Sequence, residues 1–192
     1  MRGVSTLRNS KGQDLPTKEV TVLCRCGGSA NKPYCDGTHR TNGFSSAKSA
    51  ARTPDKVDVY RGQQITVHDN RSICAHAGRC TDGLPATFRA DKEPFIDPDA
   101  DSVAKIIDIV GKCPSGALSY ALNGQPGAEI ERPSMVVVTP GPYAVMGNVA
   151  IDQAQNAGAS RERYTLCRCG GSKNKPFCDG THWEIEFKDE KN

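Results

Sequence analysis

Aromatic side chains make up only 6% of this 192-residue chain and apolar residues 36%, which is lean for one large hydrophobic core. Small lobes held together by something other than hydrophobic burial are the expected solution. Neither sign of charge dominates: 25 basic residues face 22 acidic ones, a net charge of +3, with no long run of either. That argues against the basic footprint of a nucleic-acid binder. No stretch reaches the roughly 18 apolar residues of a membrane helix, and no apolar signal core opens the chain. The expectation is a soluble cytoplasmic protein with no nucleic-acid and no membrane partner. Catalytic signatures are missing too: there is no Ser-His-Asp arrangement, no G-x-G-x-x-G turn and no P-loop. An enzyme is not expected.

What the chain does have is cysteine. The count of nine is odd, which fits no closed set of disulfides, and the residues fall into ligand-like groups. Six of them belong to a sixteen-residue segment that occurs twice: CRCGGSANKPYCDGTH at 24–39 and CRCGGSKNKPFCDGTH at 167–182, differing only at Ala30/Lys173 and Tyr34/Phe177. Each copy carries C-x-C-x8-C-x3-H. The identity extends to residues that bind nothing, so each copy has to reproduce a whole backbone shape around four donors.

Three thiolates and an imidazole would suit zinc, but zinc knuckles favour C-x2-C pairs. Thiolates separated by a single residue can both reach one iron of a [2Fe-2S] rhomb, leaving the third cysteine and the histidine for the other iron. Thiolate donors select iron-sulfur clusters or zinc, and imidazole in place of thiolate raises a cluster's potential. Gly27-Gly28 and Gly170-Gly171 permit tight turns that aim N–H groups at sulfur. Pro33 and Pro176 fix the approach to the third cysteine. Asp36 and Asp179 are placed to cap a helical turn carrying the histidine. Arg25, Arg168, Lys32 and Lys175 put positive charge nearby, suited to an anionic centre or an acidic partner.

Both copies resemble the CDGSH iron-sulfur domain family, whose pattern C-x-C-x2-(S/T)-x3-P-x-C-D-G-(S/A/T)-H is met at every position, with Ser29, Pro33, Ser172 and Pro176 in the inner places. The resemblance implies one [2Fe-2S] cluster on Cys24, Cys26, Cys35 and His39 and another on Cys167, Cys169, Cys178 and His182. Members with one motif pair as homodimers through shared strands. Two motifs on one chain are similar to the tandem members and imply a monomer with an internal pseudo-dimer.

Cys74, Cys80 and Cys113 lie between the copies. The pattern C-x5-C with a distant Cys113-Pro114 resembles, over roughly residues 56–122, the divergent mono-cluster ferredoxin domain, which implies a third cluster. The usual fourth ligand position is Ala77. Three cysteines suit [3Fe-4S], and His76 is the candidate fourth donor for [4Fe-4S].

The fold class expected is α+β, with small β-rich CDGSH lobes and a ferredoxin-like α/β lobe. Residues 1–16 are expected to form a flexible leader, 17–52 the first motif and its linker, 55–124 the ferredoxin-like domain, and 125–192 further strands and the second motif. Strands are expected at 18–23, 57–60, 64–68, 117–122, 135–139, 143–151 and 164–166. A helix is expected from Asp101, with Val103, Ile106, Ile107 and Val110 on one face. The function expected is one-electron transfer with a redox partner protein. The alternative is cluster donation to an apo-protein acceptor, or redox or pH sensing through the single replaceable histidine of each site.

Overall fold

A computed structural model describes residues 4, 6–127, 134–138, 140–147, 149–151 and 159–190. These residues form a mixed α+β fold built on two four-stranded sheets.

The first sheet belongs to the middle of the chain. Strand β2 (Val57–Arg61) turns back at Gly62 into β3 (Ile65–Asn70), which pairs antiparallel with β4 (Leu118–Leu122), itself followed by the short β5 (Gln125–Pro126). Alternation sends Ile65 and Val67 inward, where Leu118 joins them. Helix α2 (Val103–Gly111) covers that face with Ile106, Ile109 and Val110, and Leu84, Phe88 and Ile96 fill the rest of the core. The expected hairpin, helix and return strand are all present. Asp101 does not open the helix as expected: Ser102 stands at its N-terminus. Asp101 instead accepts the Thr87 hydroxyl at 3.1 Å, and Asp99 accepts the Gln63 amide at 2.8 Å. The short helix α1 (Arg79–Gly83) carries Cys80.

The second sheet joins the two ends of the chain. Strands β6 (Ser134–Val137), β7 (Tyr143–Met146) and β8 (Arg163–Leu166) run antiparallel, and β1 (Leu7–Arg8) lies parallel to β6 with Leu7 opposite Met135. The start of the chain is therefore not the free polar leader expected. Two apolar residues in it, Val4 and Leu7, are buried in the core with Val137, Tyr143, Val145, Tyr164 and Phe177.

Residues 18–23 also depart from expectation, forming isolated bridges such as Leu23 with Tyr34 in place of a strand. Val20 and Val22 are left 44% and 58% exposed, because among the described residues no strand pairs with them as β7 pairs with β8. The strands at 135–139 and 143–151 end early, at Val137 and Met146. Residues 128–133, 139, 148 and 152–158 lie outside the described set. Among the described residues no helix is long and apolar enough to cross a membrane.

Candidate metal centres

Each sixteen-residue copy folds into the same hydrogen-bonded loop. The amide of Cys24 bonds the carbonyl of Pro33 at 2.8 Å, and that of Cys167 bonds Pro176 at 2.8 Å. Ser29 and Ser172 donate their hydroxyls to the carbonyls of Tyr34 and Phe177, both at 2.7 Å. Asp36 accepts from the Ala30 amide and the Thr38 amide and hydroxyl; Asp179 does the same with Lys173 and Thr181. These bonds hold the aspartate carboxyls below their usual range. Lys32 and Lys175 bond the Ser29 and Ser172 carbonyls at 2.7 and 2.6 Å, so they clamp the turn. The shared serine, lysine, aspartate and threonine of the two copies thus make the same bonds in both loops.

Within each loop the four donors gather as two pairs. Cys24 and Cys26 stand 3.8 Å apart at sulfur, and Cys167 and Cys169 stand 3.9 Å apart. The sulfur of Cys35 lies 3.4 Å from His39 Nδ1, as does that of Cys178 from His182 Nδ1. Two ligands on one tetrahedral metal, with bonds of about 2.3 Å to sulfur and about 2.0 Å to nitrogen, come out roughly 3.5–3.8 Å apart. Each pair therefore has the bite to chelate one metal. Among the described residues no three His, Cys, Asp or Glu side chains converge as a single ion requires.

Backbone N–H groups point at the sulfurs, Gly37 to Cys35 and Gly171 to Cys169, both at 3.4 Å. Burial pushes the Cys178 thiol up to about 12. In the neighbouring pair the bond from Cys169 pulls Cys167 down to about 6 while Cys169 holds its own proton more tightly. Metal binding at such thiols releases protons.

The two loops pack against each other through an antiparallel bridge between Cys26 and Cys169. Gly27 and Gly170, both at positive φ, allow it: a Cβ on Gly27 would lie 2.4 Å from the Cys169 carbonyl oxygen, and one on Gly170 would lie 2.5 Å from that of Cys26. Tyr143 on β7 ties the first loop down, its hydroxyl 2.7 Å from the Cys24 carbonyl and 2.9 Å from that of Pro33.

Identical loops sit in unequal surroundings. His39 is exposed, whereas His182 is 4% exposed, beside Gly141 and with its ring 5.1 Å from that of Trp183. Burial lowers the pKa of His182. Arg168 is fully buried, paired with Asp189 and bonded to the Gly141 carbonyl at 3.0 Å. Arg25, at the same place in the first copy, lies 6.0 Å from the centre of the Phe44 ring, and its buried Nε and Nη2 atoms have no hydrogen-bond partner among the described residues. Burial lowers its pKa and the nearby Cys167 raises it. An orphaned guanidinium against a thiolate loop fits an anionic group held there.

Cys74, Cys80 and Cys113 line one cavity of the middle lobe, along with Asp69, Arg71 and Ala77. Burial pushes the Cys74 thiol up to about 11. His76, the candidate fourth donor, is not among the cavity's lining residues. Its ring stands against Gly180 and its carbonyl accepts from Trp183 Nε1 at 3.2 Å, so it faces the second loop. Periodicity and spacing carried no sign of this contact, nor of Tyr143 or Asp189.

The family model described as "Iron-binding zinc finger CDGSH type" matches residues 1–40 and 140–183, and that described as "Divergent 4Fe-4S mono-cluster" matches residues 60–123. The chain belongs to the CDGSH iron-binding family. Its two CDGSH segments flank a ferredoxin-like domain, and it is an iron-sulfur-binding protein. It is also 41% identical over 61 residues, 32% of this chain and 80% of the relative, to the "Uncharacterized protein YjdI" of Escherichia coli K12, and equally to that of strain O157:H7. No solved structure matches this CDGSH protein.

Proposed function

We propose that the protein holds two [2Fe-2S] clusters, on Cys24, Cys26, Cys35 and His39 and on Cys167, Cys169, Cys178 and His182. A third, ferredoxin-type cluster would sit on Cys74, Cys80 and Cys113, and the protein would act in one-electron transfer with a redox partner protein. The observation that carries this reading is the pairing of donors at 3.4–3.9 Å in both loops, one pair per metal.

When bound, the clusters supply one-electron redox chemistry. The chain supplies the rest. Amides of Gly37 and Gly171 donate to ligand sulfur, which stabilises the more reduced charge state. Arg25 adds a fixed positive charge beside Cys167. Burial of Cys167, Cys178 and His182 keeps water from the second site.

Iron and sulfide quantification with EPR of oxidised and reduced protein tests the reading. The expected result is a red-brown protein that cycles reversibly between redox states with its iron retained. A colourless protein containing zinc and no sulfide would overturn it.

One observation favours a second role, cluster donation to an apo-protein acceptor: the first site exposes its histidine while the second buries its own. Donation should then proceed from residues 24–39, slowed by His39→Cys and unaffected by His182→Cys when transfer to apo-ferredoxin is followed. Equal effects of the two substitutions would exclude that role.

A further inference from the structure

The seam between the middle lobe and the second CDGSH loop is built around His76. Its amide donates to Cys74 Sγ at 3.4 Å, so it hangs directly on a cysteine of the middle cavity. Its ring covers Gly180, where a Cβ would lie 2.5 Å from His76 Cδ2. Its carbonyl holds Trp183, whose ring in turn lies beside that of His182. The residue takes φ +51°, in the left-handed region that few residues other than glycine adopt.

A second clasp closes the same seam. Asn174, 1% exposed, donates to the Ser72 carbonyl at 2.6 Å. In the first loop the equivalent residues have no such neighbour: Asn31 is exposed, and a Cβ on Gly37 would meet nothing within 4 Å. The middle lobe therefore docks on one of two loops that differ at only two positions. The two loops themselves meet at the bridge between Cys26 and Cys169.

We propose that His76 is a positioning residue which seats the middle centre against the 167–182 centre, so that the three centres form an ordered series ending at the exposed 24–39 site. The proposal rests on the cluster reading given above. In such a series one centre loses a single electron and its neighbour gains it, with no atom or proton crossing the seam.

The test is EPR of the fully reduced protein. The middle centre's signal should be split or broadened by a neighbouring spin; Cys178→Ala should abolish that interaction and Cys35→Ala should leave it. His76→Ala should weaken the interaction while the middle centre keeps its iron. Should loss of a ligand prevent folding, two glycine variants give the same answer. Gly180→Ala and Gly37→Ala carry the same positive-φ penalty in the same motif, but only the first drives a Cβ into His76 and should diminish the interaction.

Iron lost from the middle centre of His76→Ala would make His76 a ligand and overturn the proposal. So would an interaction that survives Cys178→Ala, disappears with Cys35→Ala, or is unchanged in Gly180→Ala. A protein with no iron or sulfide would instead defeat the cluster reading itself.

Discussion

Arg25 and Arg168 hold the same place in two copies of one sentence, yet only Arg168 finds a carboxylate. Its pairing with Asp189 removes both charges from water, with side-chain exposures of 0% and 2%. Breaking a buried pair by removing one partner leaves the other charge uncompensated, at a cost of about 3–5 kcal/mol. Arg168→Met should therefore lower the urea midpoint of unfolding by that equivalent. Arg25→Met strands no carboxylate and should lower it far less. Equal losses would show that Asp189 stabilises nothing through Arg168. The repeat itself could not reveal this difference, because Asp189 lies beyond the sixteen residues and reaches Arg168 only through the tertiary fold. Ligand types and spacings were legible because they follow from bond lengths and local chain geometry. The unequal burial of His39 and His182 was not, because it depends on which loop the middle lobe covers.

At the scale of elements, a strand is decided by its neighbour as much as by its own residues. Residues 18–23 have the β-branched composition of a strand and stay nearly unpaired, while β8 is paired because β7 lies alongside. Strand β3 and helix α2 could be read directly, since their apolar residues repeat at the period of the element and face one core, whereas Val57 and Val59 of β2 are exposed. Strand β7 also delivers Tyr143 to the first loop, where one hydroxyl faces two carbonyls. Tyr143→Phe removes this donor from the buried Cys24 carbonyl, while the Pro33 carbonyl keeps the Cys24 amide, which costs about 1–3 kcal/mol. We expect a lower denaturation midpoint and earlier bleaching of the 24–39 site than of the 167–182 site. Simultaneous bleaching of both would show that Tyr143 does not anchor the first loop.

At the scale of the whole molecule, residues 40–55 connect the first loop to the middle lobe and touch the second loop on the way. Ser49 donates to the Lys173 carbonyl at 2.7 Å, and Lys48 lies 5.8 Å from the centre of the Phe177 ring. Arg52 grips Asp55 through two bonds of 2.8 and 3.0 Å, which holds the Asp55 carboxyl below its ordinary value of 3.8. A depressed carboxylate contributes stability that is present above its unfolded pKa and lost as pH falls through the folded one. The wild type should therefore exceed Asp55→Asn in stability by up to about 1 kcal/mol at neutral pH, since the pair is partly solvated. That difference should begin to close as the pH falls below the ordinary value of 3.8 and vanish below the folded one. Thermal unfolding of both proteins across that range is the check, and a constant difference would remove the ion pair from the explanation.

The close approach of Gly27 and Gly170 bears on how such a repeat is inherited. Each glycine is shaped by a carbonyl of the other copy's ligand cysteine, so a side chain added to either displaces a donor in its twin. The two segments are one mutational target written in two places. A change in one has to be answered in the other, and dilution cannot separate them as it could separate two chains.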